Sequence, residues 1–182
     1  DVTSVLRDKR WHSAAGRIPE IMGITAERFL QRQGISILSA EGDTQLRLRG
    51  LDAPGVSPRQ GWRLRPLMRE DINGLVDTVA AAGKADVAVD LCEPYPIPII
   101  CELLGAPKSD WQLFSRWAND ILEIFSLDVA SKLDLIMRTQ DELDAYTRDL
   151  IEQRRSKPAD DLLTDLIAAE EAGDKRSNDA PV

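Results

Sequence analysis

Apolar residues recur at intervals of three and four positions along most of this chain, the spacing that gathers them on one face of a helix. The longest such run follows Ser57-Pro58, where a capping hydroxyl precedes a proline in the first helical turn, and Gly83 predicts its end. A second long helix is predicted over 133–155, before Pro158. Shorter helices are predicted over 1–9, 25–31, 44–54, 96–104, 109–122 and 160–172. The pattern therefore predicts an all-α fold of six to eight helices with little or no sheet.

Polar residues predict how two of the helices begin, and a further segment is predicted to connect two helices. The segment from Ser109 to Gln112 fits a capping box, Asp160 is predicted to cap the last helix, and residues 85–90 are predicted to form a short extended link. Nothing in the sequence separates two domains, so 1–182 is expected to form a single domain. Its polar last residues, 173–182, are predicted to be a mobile tail.

Charge and composition exclude several classes of protein. The net charge of −8 argues against nucleic acid as a partner, although arginines between Arg47 and Arg69 predict one basic face. The sequence contains no run of about 20 apolar residues, so no membrane span is expected. The chain lacks an initiator Met and opens directly into a helical pattern, which indicates that its start is not the native one.

Cysteine and histidine are scarce. Cys92 and Cys101 are the only cysteines and His12 is the only histidine, so the sequence offers too few ligands for a structural zinc site, and no metal-binding residues are predicted. Two cysteines in a chain of this length favour reduced, buried thiols in a cytoplasmic protein.

The segment over 41–59, Glu-Gly-Asp-Thr-Gln-Leu-Arg-Leu-Arg-Gly-Leu-Asp-Ala-Pro-Gly-Val-Ser-Pro-Arg, contains a possible binding motif. It resembles the helix of bacterial cytochromes P-450 that crosses the haem face, in which His-x-x-x-Arg binds a haem propionate. Gln45 stands where His is commonest, and Arg49 keeps the Arg. The two positions share a helix face, and a guanidinium can hold a carboxylate through paired charged hydrogen bonds. The alternative is that both are solvated residues of a surface helix.

A second segment, over 90–107, gives the most specific resemblance: Asp-Leu-Cys-Glu-Pro-Tyr-Pro-Ile-Pro-Ile-Ile-Cys-Glu-Leu-Leu-Gly-Ala-Pro. It is similar to the mid-chain Pro-x-Pro-x-x-Val-Ile-x-x-Leu-Leu-Gly-x-Pro helix of the same family. Its prolines set the helix entry and its apolar residues pack the core. The stretches over 5–11, 32–39 and 160–167 also resemble the family, so the resemblance covers nearly the whole chain.

The resemblance implies haem b as the cofactor of the intact enzyme, and it also implies what this chain lacks. The family's oxygen-activating helix would begin near Val182, and the loop with its haem-ligating cysteine would follow later, so no catalytic residue and no thiolate ligand are expected here. Cys92 lacks that glycine-rich loop and is predicted to be a small buried hydrophobe.

Two groups of apolar residues are weaker candidates for substrate contact. The resemblance places Ile35, Ile37 and Leu38 in the family's variable loop over the haem, where they would touch substrate. It also places the aromatic stripe in the helix that roofs the substrate pocket, although such a stripe at helical spacing is more often plain core. The stripe consists of Trp111, Phe114, Trp117 and Phe125.

The function that follows from the resemblance is that of a haem-dependent monooxygenase acting on an apolar small molecule with dioxygen. A ferredoxin- or flavin-type electron donor would be its partner, and Arg47 and Arg59 would contribute to the face that meets it. The chain alone is not expected to be catalytically competent. The alternative is a non-catalytic helical domain, left by truncation, that binds an apolar ligand or a partner helix.

Overall fold

A computed structural model describes residues 2–8, 10–12, 17–34, 37, 40–52, 57–126 and 128–171. These ranges contain helices and no strand, which confirms the all-α prediction. The α-helices are α1 (Val2–Arg7), α2 (Ile18–Ile21), α3 (Glu27–Gly34), α4 (Gly42–Asp52), α5 (Pro58–Ala82), α6 (Pro96–Leu104), α7 (Trp111–Leu122), α8 (Val129–Ser156) and α9 (Leu162–Glu171). Within the described ranges there is thus one α-helix more than the sequence pattern predicted, since the single turn α2 was not foreseen. The predicted tail over 173–182 lies outside them.

Helix α5 begins and ends where its sequence signals predict. Pro58 occupies the first turn after Ser57, and Gly83 ends the helix in the left-handed conformation with φ of 67°. The Ser57 hydroxyl caps no backbone N–H, so the fixed φ of the proline is the signal that operates here. Among the described side chains of α5, only Leu64 is buried.

The prediction of an extended link over 85–90 is wrong, because Val87–Cys92 forms a π-helix. The Asp86 carboxylate accepts hydrogen bonds from the backbone N–H groups of Ala88 and Val89 at 3.0 and 3.2 Å. The backbone N–H of Asp86 in turn donates to Asp90 Oδ2 at 2.8 Å. These bonds satisfy donors at the start of the turn and so favour a helical conformation over an extended one.

Two predicted caps are also corrected. The Ser109 hydroxyl donates to Asp110 Oδ1 at 3.0 Å within a 3₁₀ turn over Lys108–Asp110, and α7 has no side-chain cap, so the capping box is absent. At the start of α9, Asp161 and not Asp160 accepts the backbone N–H of Thr164, at 2.9 Å. The Asp160 carboxylate instead accepts a hydrogen bond from Arg63 of α5.

The long helix α8 belongs to both apolar clusters of the core. Its first half supplies Val129 and Ile136 to a cluster that includes Ile24 and Phe29 from the N-terminal part of the chain. Its second half supplies Leu150 to a cluster formed with α6, α7 and α9. At about 1.5 Å per residue, these 28 residues extend roughly 40 Å, long enough to join two separate clusters.

Ion pairs attach α3 to the middle of α8. Arg28 contacts Asp141 at 2.6 Å, and Arg32 contacts both Asp141 at 2.9 Å and Asp144 at 2.6 Å. The Arg32 side chain is 26% exposed, whereas that of Arg28 is 62% exposed. Because solvent screens exposed pairs more strongly, the bridge depends mainly on Arg32.

Candidate functional site

Helix α4 carries the residues predicted to bind haem, and it lies on the surface. Asp43 in its first turn and Arg49 in its last turn both complement the helix dipole. None of its described side chains is buried, and Leu46 is 71% exposed. The helix therefore presents an open surface that is partly apolar and partly cationic.

Gln45 and Arg49 are both exposed and lie four positions apart on α4, so they share one face. Within the part of the chain that the structure describes, Arg49 forms no hydrogen bond and no ion pair, while eight other arginines do. A guanidinium without a partner, beside a neutral amide donor, can bind a carboxylate ligand. The exposed side chain of Leu46 next to them could contact the apolar ring of the same ligand. The described side chains of α4 thus fit a haem propionate.

The two described thiols lie in different surroundings. Cys101 is fully buried in α6, and burial, assisted by the charge of Asp110, raises the pKa of its thiol. Cys92 is exposed at the end of the π-helix, so the prediction that it is a buried hydrophobe is wrong. The π-helical turn that replaces the expected extended link contains no buried residue, which explains that exposure.

The candidate substrate residues are only partly within the described chain. Ile37 is half-buried, and Ile35 and Leu38 lie outside the described residues. Of the two arginines assigned to the electron-donor face, Arg47 is half-buried on α4, and the side chain of Arg59 is outside the described part. These assignments remain predictions.

The aromatic stripe divides into a packed part and an exposed part. Phe114 and Trp117 pack edge to face against each other and against Tyr146 of α8, with all three pairs of ring centroids 5.3 Å apart. Phe125 is 68% exposed. The packed rings hold α7 against α8, which favours a core role for them.

Polar atoms around these rings are also paired. The Tyr146 hydroxyl donates to Asp110 at 2.7 Å, and burial together with this carboxylate raises the pKa of Tyr146. The Trp117 indole donates to Glu142 at 3.1 Å, and the hydrogen bonds from Arg116 and Trp117 lower the pKa of Glu142. Tyr146 therefore keeps its proton and acts as a fixed donor between α8 and the start of α7.

Sequence reasoning missed the α3–α8 bridge. Its only signal was that Arg28 and Arg32 lie four apart on α3, and Asp141 and Asp144 three apart on α8, so that each pair shares a helix face. That spacing predicts two charged stripes, but it does not say that they meet.

Comparison with known proteins gives a consistent family. No family model matches the chain. The mycinamicin IV hydroxylase/epoxidase of Micromonospora griseorubida is 34% identical over 78% of this chain and 35% of its own length. A cytochrome P-450 of Priestia megaterium, the MEG enzyme, is 26% identical over 100% of this chain and 45% of its own length.

A solved structure extends the likeness to the fold. The crystal structure of a myxobacterial cytochrome P-450 in complex with myristic acid superposes with a TM-score of 0.76 at 28% identity, over 94% of this chain and 43% of that one. The chain thus spans less than half the length of the relatives that it matches. No helix among the described residues is long and apolar enough to cross a membrane. By its sequence and by its helical fold, this chain belongs to the cytochrome P-450 family, and it corresponds to part of the length of the members that it matches.

Proposed function

We propose that this chain forms the α4 side of the haem pocket in a haem-dependent monooxygenase. The observation that carries the proposal is the exposed face of α4, on which Gln45 and Arg49 stand four residues apart and Arg49 has no partner among the described residues. Arg49 would hold a propionate through charged hydrogen bonds, and Gln45 would add a neutral one. When bound, haem supplies the oxygen-transfer chemistry, whereas these two residues bind and orient it.

The substrate and the electron donor are inferred from relatives and from charge. An apolar small molecule is the proposed substrate, in keeping with the myristic acid bound to the myxobacterial structure. The half-buried Ile37 is the described candidate for substrate contact. A ferredoxin- or flavin-type donor would meet the basic face that includes Arg47, where charge complementarity accelerates encounter. Both thiols are free in the described chain, which supports the proposed cytoplasmic location.

We infer that the 182-residue chain does not form a thiolate-ligated haem by itself. Cys101 is buried and its raised pKa keeps it protonated, whereas Cys92 stands on a solvent-exposed turn where no described cationic side chain is bonded to it. The purified chain, mixed with haem, reduced and exposed to carbon monoxide, should not give the red-shifted Soret band of a thiolate ligand. That band, abolished by Cys92→Ser or Cys101→Ser, would contradict the inference.

The α4 assignment is tested by haem binding and haem retention in a longer protein that contains this chain. Haem transfer to apomyoglobin should be faster for Arg49→Ala than for Gln45→Ala, because charged hydrogen bonds contribute about 1.5–3 kcal/mol and neutral ones about 1. Arg47→Ala is the matched control, since it removes the same charge from a half-buried position on the same helix. Equal transfer rates in all three variants would refute the assignment. A longer protein that binds no haem at all would favour the non-catalytic helical domain instead.

A further inference from the structure

A groove between α5 and the start of α7 has no role in the function proposed above. It has a volume of about 460 Å³, and Leu75, Pro94 and Pro98 are among its apolar lining residues. One wall is the α5 face that carries Glu70, Asp71 and Thr78, and the other includes Pro98 and Trp111. The groove therefore combines an acidic wall with a wall of proline and indole.

Hydrogen-bond acceptors dominate the polar side chains of this groove. Glu70 and Asp71 are carboxylates, and the Thr78 hydroxyl already donates its hydrogen to the Gly74 carbonyl at 3.0 Å, so its oxygen remains an acceptor. Among the described lining residues, the indole N–H of Trp111 is the side-chain donor that remains for a ligand. A ligand that complements these groups must donate hydrogen bonds.

No described residue forms an ion pair with either carboxylate. Asp71 Oδ2 is shielded from solvent and accepts no hydrogen bond from any described residue. The positions three and four residues away from Asp71 along α5 are occupied by uncharged residues, namely Leu67, Met68, Gly74 and Leu75. The lining contains no lysine, arginine or histidine. An oxygen that is buried without a partner is costly, so a positive charge placed in the groove would be stabilised.

We propose that this groove binds an alkylammonium group. The ammonium would face Asp71, Glu70 and the Thr78 hydroxyl, and its alkyl part would lie against Pro98 and Trp111. An indole face also attracts a nearby cation through its quadrupole, which favours an ammonium over a neutral donor of the same size. The group can come from a free amine or from the side chain of a lysine in a polypeptide. The proposal is independent of haem and of α4.

The test is a titration of the 182-residue chain with n-butylammonium chloride at constant ionic strength. The readout is the Trp111 indole N–H resonance, which is assigned by its disappearance in Trp111→Phe. We expect a saturable shift that n-butanol and sodium chloride do not produce. Asp71→Asn should weaken the affinity about tenfold, since it removes a charged acceptor. Asp77→Asn is the matched control, because Asp77 is exposed on the same helix and does not line the groove.

Three outcomes would overturn the proposal: no saturable shift, an equal shift with n-butanol, or equal effects of the Asp71 and Asp77 variants. A second titration with N-acetyl-lysine amide distinguishes the two sources of the group. Binding of both probes shows that the groove accepts a lysine side chain as well as a free amine. Binding of n-butylammonium alone restricts the proposal to free amines. Circular dichroism confirms that each variant keeps its helices, so that a lost shift reports on the groove.

Discussion

Replacing Gly105 by alanine should be one of the most destabilising single-methyl changes in this chain. Gly105 ends α6 with φ of 78°, in the left-handed region. A Cβ at this position would collide with the Asp161 carboxylate and approach Arg154 Nη2 to 2.8 Å. These two side chains form an ion pair at 2.5 Å, in which Asp161 is 4% and Arg154 19% exposed. Arg154 also donates to the Gly105 carbonyl, so the pair cannot move aside freely.

The expected loss in the free energy of unfolding has two parts. The left-handed backbone costs a non-glycine residue about 1–2 kcal/mol. Disrupting a buried ion pair costs about 3–5 kcal/mol, and we take the lower end, about 3 kcal/mol, because Arg154 retains some exposure. Gly105→Ala should therefore lower the free energy of unfolding by about 4–5 kcal/mol. Gly83→Ala isolates the first part, since Gly83 has φ of 67° and no atom within 4 Å of the added Cβ.

The assay is urea denaturation followed by far-ultraviolet circular dichroism, with the two alanine variants compared to the unmodified chain. Equal losses for Gly105→Ala and Gly83→Ala would refute the reasoning, because the contact with the ion pair would then contribute nothing. If Gly105→Ala fails to fold, Asp161→Ala replaces it as the probe. It removes the same ion pair without backbone strain and should cost about 3 kcal/mol. If Asp161→Ala lowers the free energy of unfolding by less than about 1 kcal/mol, the value of an exposed ion pair, the reasoning is refuted as well.

Two further predictions concern ion pairs. Burial alone would raise the pKa of Asp161, but hydrogen bonds from Thr164 and Arg154 lower this pKa below its ordinary value of 3.8. The ionised Asp161 side chain therefore contributes stability above pH 3.8, and this contribution is lost as the pH falls through the lower pKa of the folded state. Asp161→Asn should therefore lose less stability on acidification than the unmodified chain, and parallel pH profiles would contradict this. Arg32→Ala should speed amide hydrogen exchange in α3 more than Arg28→Ala, because Arg32 is less exposed and contacts two carboxylates. The reverse order would show that the bridge does not depend on Arg32.

The sequence predicted helix ends best where one residue fixes the backbone by itself. Pro58 and Gly83 bound α5 through their own φ preferences, so no knowledge of the rest of the fold was needed. The π-helix after Asp86 was missed because its carboxylate bonds to backbone groups that a hydrophobic pattern does not include. The cap of α9 was assigned to Asp160 because the partner of that carboxylate, Arg63, lies 97 residues away in sequence.

The candidate site likewise has features that the sequence predicts and features that it does not. The shared face of Gln45 and Arg49 follows from helical spacing alone, and their identification as haem contacts depends on the family motif around them. Cys92 was expected to be buried because cysteine usually is, yet the local turn exposes it. The groove beside Asp71 could not be foreseen, since it forms only where α5 meets the start of α7.

The bridge between α3 and α8 has a consequence for the order in which the chain acquires structure during synthesis. Arg32 and its partners Asp141 and Asp144 are 109 and 112 residues apart. A ribosome adds about 5–20 residues per second, so the segment containing α3 waits several seconds before its docking site on α8 leaves the exit tunnel. During that interval Phe29, which is fully buried in the finished fold, has no apolar cluster to enter. A chaperone that binds exposed aromatic segments would therefore be most useful during this interval, while α3 is made and α8 is not.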